Sequence, residues 1–297
     1  MIKHVPVLLK ESVEALGLHE GSIFVDGTLG SGGHSAEVLR RFRDAVEIIG
    51  LDRDEEAIVR TSKVLSASNV FLRNESFRNI DRVLSGLGIS KVDGILLDLG
   101  ISSNQIEESG RGFSFLKDEP LLMTMASVPE ENSLTAKTIL NTWDEGALEL
   151  ILRGFGEEKF SRRIARKIVA HRKVKPFETT FELVEAIKSA TPLAYHRGRI
   201  HPATKTFQAL RIAVNEELTA LEEGLEKGFE LLNPKGRLVV ISFHSLEDRI
   251  VKNFMREKIK NVQGRALETK KPIMPTDEEM RENPRSRSAK LRVIEKI

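Results

Sequence analysis

Three apolar runs in the first hundred residues each end in an aspartate, and a glycine-rich segment follows the first of them. The acids are Asp26, Asp52 and Asp98, and residues 27–34 read Gly-Thr-Leu-Gly-Ser-Gly-Gly-His. Acids that end parallel strands lie at the sheet edge where ligands bind, and glycines let a ligand approach the backbone closely. These residue types at this spacing therefore indicate a nucleoside-binding site.

The positions of the glycines decide which nucleoside fits. A P-loop is excluded because no Gly-Lys-Ser/Thr ends the segment. A nicotinamide fingerprint that starts from Gly30 and Gly32 needs a third glycine where the chain has Ser35. An acid at the strand end with glycines at even offsets from it, as in Asp26, Gly30 and Gly32, instead fits S-adenosylmethionine. Asp26 is then placed near the positively charged end of the cofactor.

Three further side chains are predicted to line this site. Asp52 ends the second strand, where a carboxylate can accept hydrogen bonds from both ribose hydroxyls. Phe77 follows the third strand and either packs on the adenine ring or simply belongs to the core at a helix start. Asp98 ends the fourth strand, where an acid is poorly suited to packing, so we place it at the ligand edge.

The elements that position these residues alternate between strands and helices. This alternation predicts an α/β fold with a doubly wound parallel sheet. Between Asp98 and Arg237 lie 138 residues, whereas a crossover connection needs only about a dozen. A second unit is therefore inserted there. We predict strands near 23–26, 46–51, 69–72, 92–98 and 237–243, and helices near 33–43, 54–66 and 77–86.

The inserted unit is predicted to be helical, because its apolar residues recur at steps of three and four. A longer helix over about 203–232 returns the chain to the sheet, and its apolar stripe indicates core packing. We expect an irregular tail over 261–288 and a final strand over 289–296. The predicted domains are 1–105 and 206–297 for the sheet and 106–205 for the insertion. The inserted helices are expected near 133–142, 144–153, 158–172 and 179–190.

Charge is unevenly distributed along the chain. The net charge is only +2, yet residues 153–211 hold 14 Lys or Arg and 5 Glu, without Asp. Such a basic middle predicts a polyanionic partner. Arg197, Arg199, His201 and Lys205 cluster where the insertion returns to the sheet and suit RNA phosphates. In a simpler interpretation, His201-Pro202 only begins a helix, with Pro202 as its first residue.

Composition narrows the class of protein further. With 40% hydrophobic and 30% charged residues, the chain is typical of soluble globular proteins, and no apolar stretch reaches the roughly 20 residues that span a bilayer. The first residues lack a signal-peptide core, so we expect a cytoplasmic protein. The absence of cysteine excludes disulfides, thiolate metal sites and thiol nucleophiles, and we assign no metal ligand.

Several longer segments are specific enough to indicate a family. On these segments, which cover nearly the whole chain, it resembles the bacterial ribosomal small-subunit methyltransferase H family, also called MraW. The segments are His4-Val5-Pro6-Val7-Leu8, Asp26 to Ser35, Asp98-Leu99-Gly100-Ile101-Ser102-Ser103, Gly112-Phe113-Ser114-Phe115, Gly156-Glu157-Glu158, Gly198 to Thr204 and Ser242 to Asp248.

The resemblance implies a class I S-adenosylmethionine-dependent methyltransferase with an inserted helical substrate lobe. It implies methylation of a cytosine N4 in 16S ribosomal RNA, with the small ribosomal subunit, and neither DNA nor a membrane, as partner. The implied cofactor contacts are Gly32, Gly33, His34, Asp52, Phe77, Asp98 and Gln105, with His34 expected to contribute its backbone more than its ring.

One segment departs from the family pattern. The family usually reads Asp-Gly-Pro-Leu-Asp-Met-Arg-Met-Asp where residues 118–126 read Asp-Glu-Pro-Leu-Leu-Met-Thr-Met-Ala. Two acids and an arginine are absent, so no role of theirs in ordering the loop or touching RNA carries over. Because the cofactor pocket is whole, the activity is still expected.

Methylation of an exocyclic amine requires help, because the amine lone pair is delocalised into the ring. We predict that Asp98, or a backbone carbonyl beside it, holds the amine hydrogens. His244 follows the fifth strand, where it either contacts the base or a phosphate or is merely packed. Ser245, with Asp248 three residues later, is predicted to cap a helix.

Two alternatives belong to other classes. The first is a nucleotide-dependent oxidoreductase on the same sheet, which Ser35 disfavours. The second is an RNA-binding ribosome-assembly factor that keeps a cofactor pocket without turnover. The altered loop over 118–126 is the only sequence feature that supports this second alternative.

Overall fold

A computed structural model describes residues 6–128, 132–267 and 271–297, so His4 and Val5 of the first family segment lie outside the described residues. Its central element is a seven-stranded sheet in the order β3-β2-β1-β4-β5-β7-β6. The strands are β1 Ile23–Asp26, β2 Glu47–Asp52, β3 Val70–Asn74, β4 Val92–Asp98, β5 Leu232–Ser242, β6 Gly264–Ala266 and β7 Lys290–Lys296.

The first five strands are parallel, and β7 runs antiparallel to both of its neighbours. In this register Asp26 pairs with Leu96 of β4 and with Gly50 of β2. The carboxyl ends of β1, β2 and β4 therefore meet at one edge, which brings Asp26, Asp52 and Asp98 to the same side of the sheet.

Both faces of the sheet are buried. On β1, β2 and β4 the side chains of Val25, Ile49 and Ile95 belong to one apolar cluster. Their immediate neighbours, among them Phe24 and Ile48, belong to another. Since side chains alternate between the faces of a strand, these clusters are the two layers of a doubly wound α/β fold.

The chain divides into two compact units, residues 1–100 with 218–297, and residues 101–217. The predicted insertion over 106–205 falls within the second unit, which begins and ends several residues outside those bounds. Substrate binding by that unit stays a prediction. Helices of the first unit are α1 Leu9–Leu16, α2 Gly33–Phe42, α3 Glu55–Ser62, α4 Ile80–Gly86, α12 Glu217–Leu231 (from Leu218 onwards), α13 Ser245–Lys260 and α14 Asp277–Glu282.

The second unit is built from helices around its own core. Ile139, Leu152, Ile168 and Leu183 are among its buried side chains. Besides helices, the described residues of this unit form one isolated β-bridge, between Pro120 and Thr179. The helices are α5 Ser103–Glu107, α6 Ala136–Thr142, α7 Glu145–Gly154, α8 Ser161–Arg172, α9 Thr180–Ala190, α10 Leu193–His196 and α11 Thr204–Asn215.

The predicted single helix over 203–232 is wrong. The helix is broken at Glu216, whose φ of 51° lies in the left-handed region. Across this turn, the Arg211 guanidinium donates two hydrogen bonds of 2.7 Å to the Glu217 carboxylate. The apolar stripe serves two cores, because Phe207 packs in the second unit and Leu225 in the first.

Most other predicted elements are confirmed within a few residues, including the final strand. However, β5 begins five residues early, and α1, α5 and α10 were not predicted. The prediction of an irregular tail over 261–288 is partly wrong, since this segment contains β6, α14 and a 3₁₀ turn at Pro284–Ser288. Its residues 268–270 lie outside the described residues. In the described part of the chain, no helix has the length and apolar character that crossing a membrane requires.

Candidate cofactor and methyl-transfer site

Asp26 is held rigidly at the end of β1. Its Oδ2 accepts a hydrogen bond of 2.7 Å from the Ser35 hydroxyl, and its Oδ1 accepts the Thr28 N–H at 3.3 Å. Burial, with a contribution from the nearby Asp52 charge, raises the pKa of Asp26 to about 6 despite these hydrogen bonds. Ser35, which counts against a nicotinamide loop, is thus the hydrogen-bond partner of Asp26. The sequence signal for this contact is a hydroxyl residue in the first turn of the helix that follows the glycine segment.

Asp52 receives two backbone donors at the end of β2. Its Oδ1 accepts the Asp54 N–H at 2.8 Å, and its Oδ2 accepts the Gly30 N–H at 2.7 Å. Burial raises the pKa of Asp52 all the same. Because each carboxylate oxygen has two lone pairs, both oxygens keep one acceptor site for a ribose hydroxyl.

Asp98 differs from the other two acids. Its Oδ1 is buried and has no hydrogen-bond partner among the residues that the structure describes. Its backbone N–H donates to the Thr28 hydroxyl at 2.6 Å, which fixes the strand end. Burial, and then the charges of Asp26 and Glu247, raise the pKa of Asp98 to about 8. The site thus offers a buried carboxyl oxygen that is open to a ligand and whose ionised form is disfavoured by burial.

The glycine segment forms a tight turn between β1 and α2. Gly30 and Gly32 have φ of 53° and 72°, in the left-handed region that favours glycine. A Cβ on Gly33 would lie 2.2 Å from Cγ of Pro6. Gly33 therefore lets the segment before α1 pack on the turn, a role that the sequence did not suggest.

The His34 ring lies beside Asp98. It is buried on α2, its Nε2 lies 3.3 Å from the Val7 carbonyl oxygen, and its Nδ1 lies 3.9 Å from Oδ2 of Asp98. A carbonyl oxygen can only accept, so this contact makes Nε2 the donor. A direct contact between His34 and the cofactor stays a prediction.

Phe77 begins a 3₁₀ turn after β3, and its ring is half-buried beside the core of the first unit. A Cβ on Gly224 of α12 would lie 2.5 Å from Cδ2 of this ring. The ring therefore packs directly against a glycine. This contact fixes the position of Phe77, whichever of its two predicted roles holds.

Gln105 lies in the second unit, unlike the other predicted cofactor residues. Its backbone N–H donates to the Ser102 hydroxyl at 3.2 Å, and its Oε1 accepts the Ser102 N–H at 2.9 Å. This reciprocal pair is a capping box that begins α5. The capping role gives Gln105 a structural function, and its contact with a cofactor stays a prediction.

The predicted cap of the helix after β5 is wrong by one residue. His244, not Ser245, is the N-cap of α13, and Glu247, not Asp248, is the residue at N3. Nδ1 of His244 accepts the Glu247 N–H at 3.4 Å, and its Nε2 lies 3.2 Å from Oε1 of Glu247. Asp248 instead accepts from Arg292 at 2.8 Å, which ties α13 to β7. The His244 ring thus has a structural role, and its catalytic role stays a prediction.

The segment that departs from the family pattern is held by two side chains outside it. Arg111 donates to the carbonyl oxygens of Thr124 at 3.0 Å and Met125 at 2.6 Å. The Asn215 amide accepts the Met125 N–H at 2.8 Å and donates to the Met123 carbonyl at 2.7 Å. The backbone of this loop is therefore ordered without the missing acids and arginine.

The four predicted RNA-binding residues fall into two groups. Arg197 and Arg199 are exposed. By contrast, His201 stacks on Phe115 with ring centroids 4.4 Å apart, and burial lowers its pKa. Lys205 donates to the Glu157 carbonyl oxygen at 2.7 Å. His201 and Lys205 thus have structural contacts of their own, and RNA binding by all four stays a prediction.

The turn at His201-Pro202 also differs from the simpler interpretation of this segment. Pro202 is not the first residue of a helix, because α11 begins only at Thr204, with Ala203 as its N-cap. Nδ1 of His201 accepts the Ala203 N–H at 3.2 Å and stabilises the turn before the helix.

The residues of the first unit fit S-adenosylmethionine. Asp98 supplies an unsatisfied buried oxygen, and Asp52 keeps an acceptor site on each oxygen. Three acids at one sheet edge create a negative site, as the cationic end of the cofactor requires. Burial and the neighbouring acids raise the pKa values of Asp26 and Asp98, and a cation bound beside them would lower both values.

Comparisons with known proteins agree with this geometry. The profile of the MraW methylase family matches residues 1–297. A protein of Clostridium botulinum named ribosomal RNA small subunit methyltransferase H is 47% identical over 310 residues, which cover 99% of each chain. Its namesake in Heliobacterium modesticaldum is 46% identical over 311 residues, covering 99% of this chain and 98% of the relative. With its doubly wound sheet and antiparallel β7, the fold is that of a class I methyltransferase. The chain belongs to the MraW methylase family.

Proposed function

We propose that the protein methylates N4 of a cytosine in the 16S ribosomal RNA of the small ribosomal subunit, with S-adenosylmethionine as methyl donor. The observation that carries this proposal is the buried Oδ1 of Asp98, unpartnered among the described residues, at the edge where Asp26 and Asp52 also end their strands. The names of the relatives, which share 44–47% of their residues with this chain, support the RNA substrate.

The cofactor, when bound, supplies an electrophilic methyl group on a sulfonium. Asp52 would hold the ribose through its two remaining acceptor sites, and Asp26 would lie near the cationic end. Such residues contribute by alignment and charge placement, which carry most of the rate of an in-line displacement. The turn at Gly30 and Gly32 allows close approach of the backbone.

Asp98 has the properties that a proton acceptor for the amine requires. Its Oδ1 would accept one N4 hydrogen of cytosine, which favours a more tetrahedral nitrogen with an available lone pair. After the nitrogen has gained the methyl group, the same oxygen would take its excess proton. A bound sulfonium would favour the ionised form of this carboxyl, which is the form that can accept a proton.

The proposal is tested by incubating the protein with methyl-labelled S-adenosylmethionine and small subunits that lack the modification, followed by mass mapping of the nucleotide. We expect label on N4 of one cytosine, and none with Asp98→Ala. Full turnover of Asp98→Ala with normal cofactor affinity would rule out the role of Asp98. Cofactor binding without any transfer by the unaltered protein would favour the assembly-factor alternative.

A further inference from the structure

The Gly156-Glu157-Glu158 segment, shared with the family, lies between α7 and α8 and fixes the turn that leads into α8. A Cβ on Gly156 would lie 2.5 Å from the carbonyl oxygen of Lys205 and 2.7 Å from that of Leu152. The Lys205 ammonium donates in return to the Glu157 carbonyl at 2.7 Å. The turn is therefore packed directly against the start of α11.

Glu158 joins this turn to α10. The residue is 1% exposed, its Oε1 accepts the Phe160 N–H at 2.8 Å, and its Oε2 accepts the Tyr195 hydroxyl at 2.6 Å. Burial and the Glu158 charge raise the pKa of Tyr195, so its hydroxyl stays a donor. The Gly198 N–H donates to the Tyr195 carbonyl at 3.2 Å, which closes a turn containing Arg197 at the end of α10.

Cations gather around this junction. The Lys159 ammonium lies 5.0 Å from the ring centroids of both Phe160 and Tyr195, and the Arg163 guanidinium lies 5.6 Å from that of Phe160. Arg162 is exposed on the same first turn of α8, which contains no acid. Glu158 thereby joins the start of α8 to α10, and the turn that carries Arg197 directly follows α10.

Two neighbouring arginines of the second unit form ion pairs, unlike the cations at this junction. Arg153 lies 3.7 Å from Glu149, and Arg166 lies 3.6 Å from Glu145. Within the described parts of the chain, none of the following five has a carboxylate oxygen within 4.0 Å: Lys159, Arg162, Arg163, Arg197 and Arg199. Positive side chains in the first turn of a helix also oppose its dipole. An anion at this surface would relieve both effects.

We propose that Lys159, Arg162, Arg163, Arg197 and Arg199 form one surface that binds the phosphodiester backbone of the substrate RNA. This inference rests on the proposed function, since it identifies where the second unit holds that RNA. Four of the five residues are arginines, whose planar donor pair matches phosphate oxygens. We refer to these five residues as the basic surface.

The backbone, rather than the bases, is the expected target. Phe160 and Tyr195 pack edge to face with centroids 5.0 Å apart, and Lys159 lies over both rings. The two rings are therefore engaged with each other and with a cation, which leaves no open platform for stacking a base. Binding through phosphates predicts a steep dependence of affinity on salt.

The test compares two triple variants with equal changes of charge. Lys159→Gln/Arg162→Gln/Arg163→Gln alters the basic surface, and Lys252→Gln/Arg256→Gln/Lys260→Gln alters three exposed cations of α13 in the first unit. Binding to unmodified small subunits is measured over a range of KCl concentrations. For the first variant we expect the slope of log affinity against log salt to fall by about 2 to 3, since each phosphate contact contributes about one. We expect the α13 variant to keep the slope of the unaltered protein.

Steady-state kinetics and cofactor titration complete the test. The basic-surface variant should raise KM for the RNA at least about tenfold and leave kcat and S-adenosylhomocysteine affinity unchanged. Arg197→Gln/Arg199→Gln, on the neighbouring turn, should act in the same direction and remains informative if the triple variant unfolds. The inference would be overturned if both basic-surface variants kept the salt slope of the unaltered protein. It would also be overturned if the α13 control lost as much RNA affinity as they do.

The outcomes separate the two proposals. If the unaltered protein methylates RNA and the basic-surface variants bind it normally, the surface is wrong and the function stands. If the unaltered protein transfers no methyl group, yet its subunit binding depends on the basic surface alone, the function fails and the surface stands as an RNA site.

Discussion

Asp98 combines a buried oxygen that no described residue donates to with the charge of Asp26 nearby. Leaving a buried polar atom without a partner costs about 1–3 kcal/mol. The Thr28 hydroxyl oxygen accepts the Asp98 backbone N–H, which fixes the end of β4. The Oδ1 atom of the carboxylate is open to a ligand. This arrangement is unfavourable for the empty protein and favourable for a bound cation.

Cofactor affinity should therefore depend on pH. Burial and Asp26 hold the pKa of Asp98 at about 8, so the empty protein is protonated there at lower pH. A sulfonium favours the ionised carboxylate, so its affinity should rise with pH up to about 8 and then level off. The measurement is isothermal titration in buffers of different ionisation enthalpy, which also counts the released protons.

Asp98→Asn serves as the control for this titration, because it keeps the shape of the side chain and removes the charge. It should bind the cofactor more weakly at pH 8, with less change of affinity across the range. An unaltered protein whose affinity is flat between about pH 6 and 8 would contradict this account.

The same substitution should stabilise the empty protein at alkaline pH. The folded-state pKa of Asp98, about 8, lies above the ordinary value of 3.8. The folded state therefore holds its proton more tightly, and the stability that this provides is lost as pH rises from about 4 through 8. Asparagine has no such proton to lose. The free energy of unfolding of Asp98→Asn should therefore be larger than that of the unaltered protein by about 1–3 kcal/mol at pH 8. Thermal unfolding at pH 5 and 8 measures the difference, and an equal difference at both values would refute the explanation.

At the level of elements, the sequence predicted β1, β2 and β4 well because their apolar runs end in recognisable acids. It failed at Glu216, since the apolar spacing continues through the break and nothing in it reveals a left-handed residue. It also misplaced the cap of α13, because His244 acts as the cap where serine is the more usual residue. Such choices are decided by tertiary contacts that periodicity does not encode.

Two glycines of α12, one turn apart, give a matched pair of substitutions. Gly224→Ala places a methyl group 2.5 Å from the Phe77 ring, whereas the Cβ of Gly228→Ala would lie 3.4 Å from Ile95. Alanine favours a helix over glycine by about 0.5–1 kcal/mol, so Gly228→Ala should be neutral or stabilising. Gly224→Ala should lose about 1–3 kcal/mol because the ring must move.

Phe77 provides a second measurement on the same pair. If its ring packs on the adenine, Gly224→Ala should also weaken S-adenosylhomocysteine binding, while Gly228→Ala leaves it unchanged. Equal stability and equal affinity of the two variants would mean that the contact between Phe77 and Gly224 has no consequence.

At the level of the whole molecule, the two units have separate apolar cores. The predicted cofactor residues other than Gln105 lie in the first unit. Calorimetry should resolve two thermal unfolding transitions. S-adenosylhomocysteine should raise chiefly the midpoint temperature of the transition that belongs to the first unit. At about 100 times its Kd, a ligand adds about 2.7 kcal/mol to the state that binds it. A single transition shifted as a whole would show that the units unfold together.

The acids of the site could be predicted because strand ends are visible in the sequence. The interactions around them could not, since Pro6 against Gly33 and Gly224 against Phe77 join positions far apart in the chain. The RNA-binding prediction illustrates the same limit. Composition located a basic region, but only the structure distinguishes the open Arg197 and Arg199 from Lys205, which donates to a carbonyl.

The crowding of Asp26, Asp52 and Asp98 at one strand edge has a consequence for product release. Once the methyl group has left, the sulfur of the by-product is neutral, so the carboxylates lose the sulfonium charge that had helped to offset their repulsion. Asp98 can then keep the proton that it took from the amine, given its pKa of about 8. We therefore expect the site to bind the by-product more weakly than S-adenosylmethionine. The loss of the sulfonium charge in the reaction would thus favour exchange of the by-product for a new methyl donor.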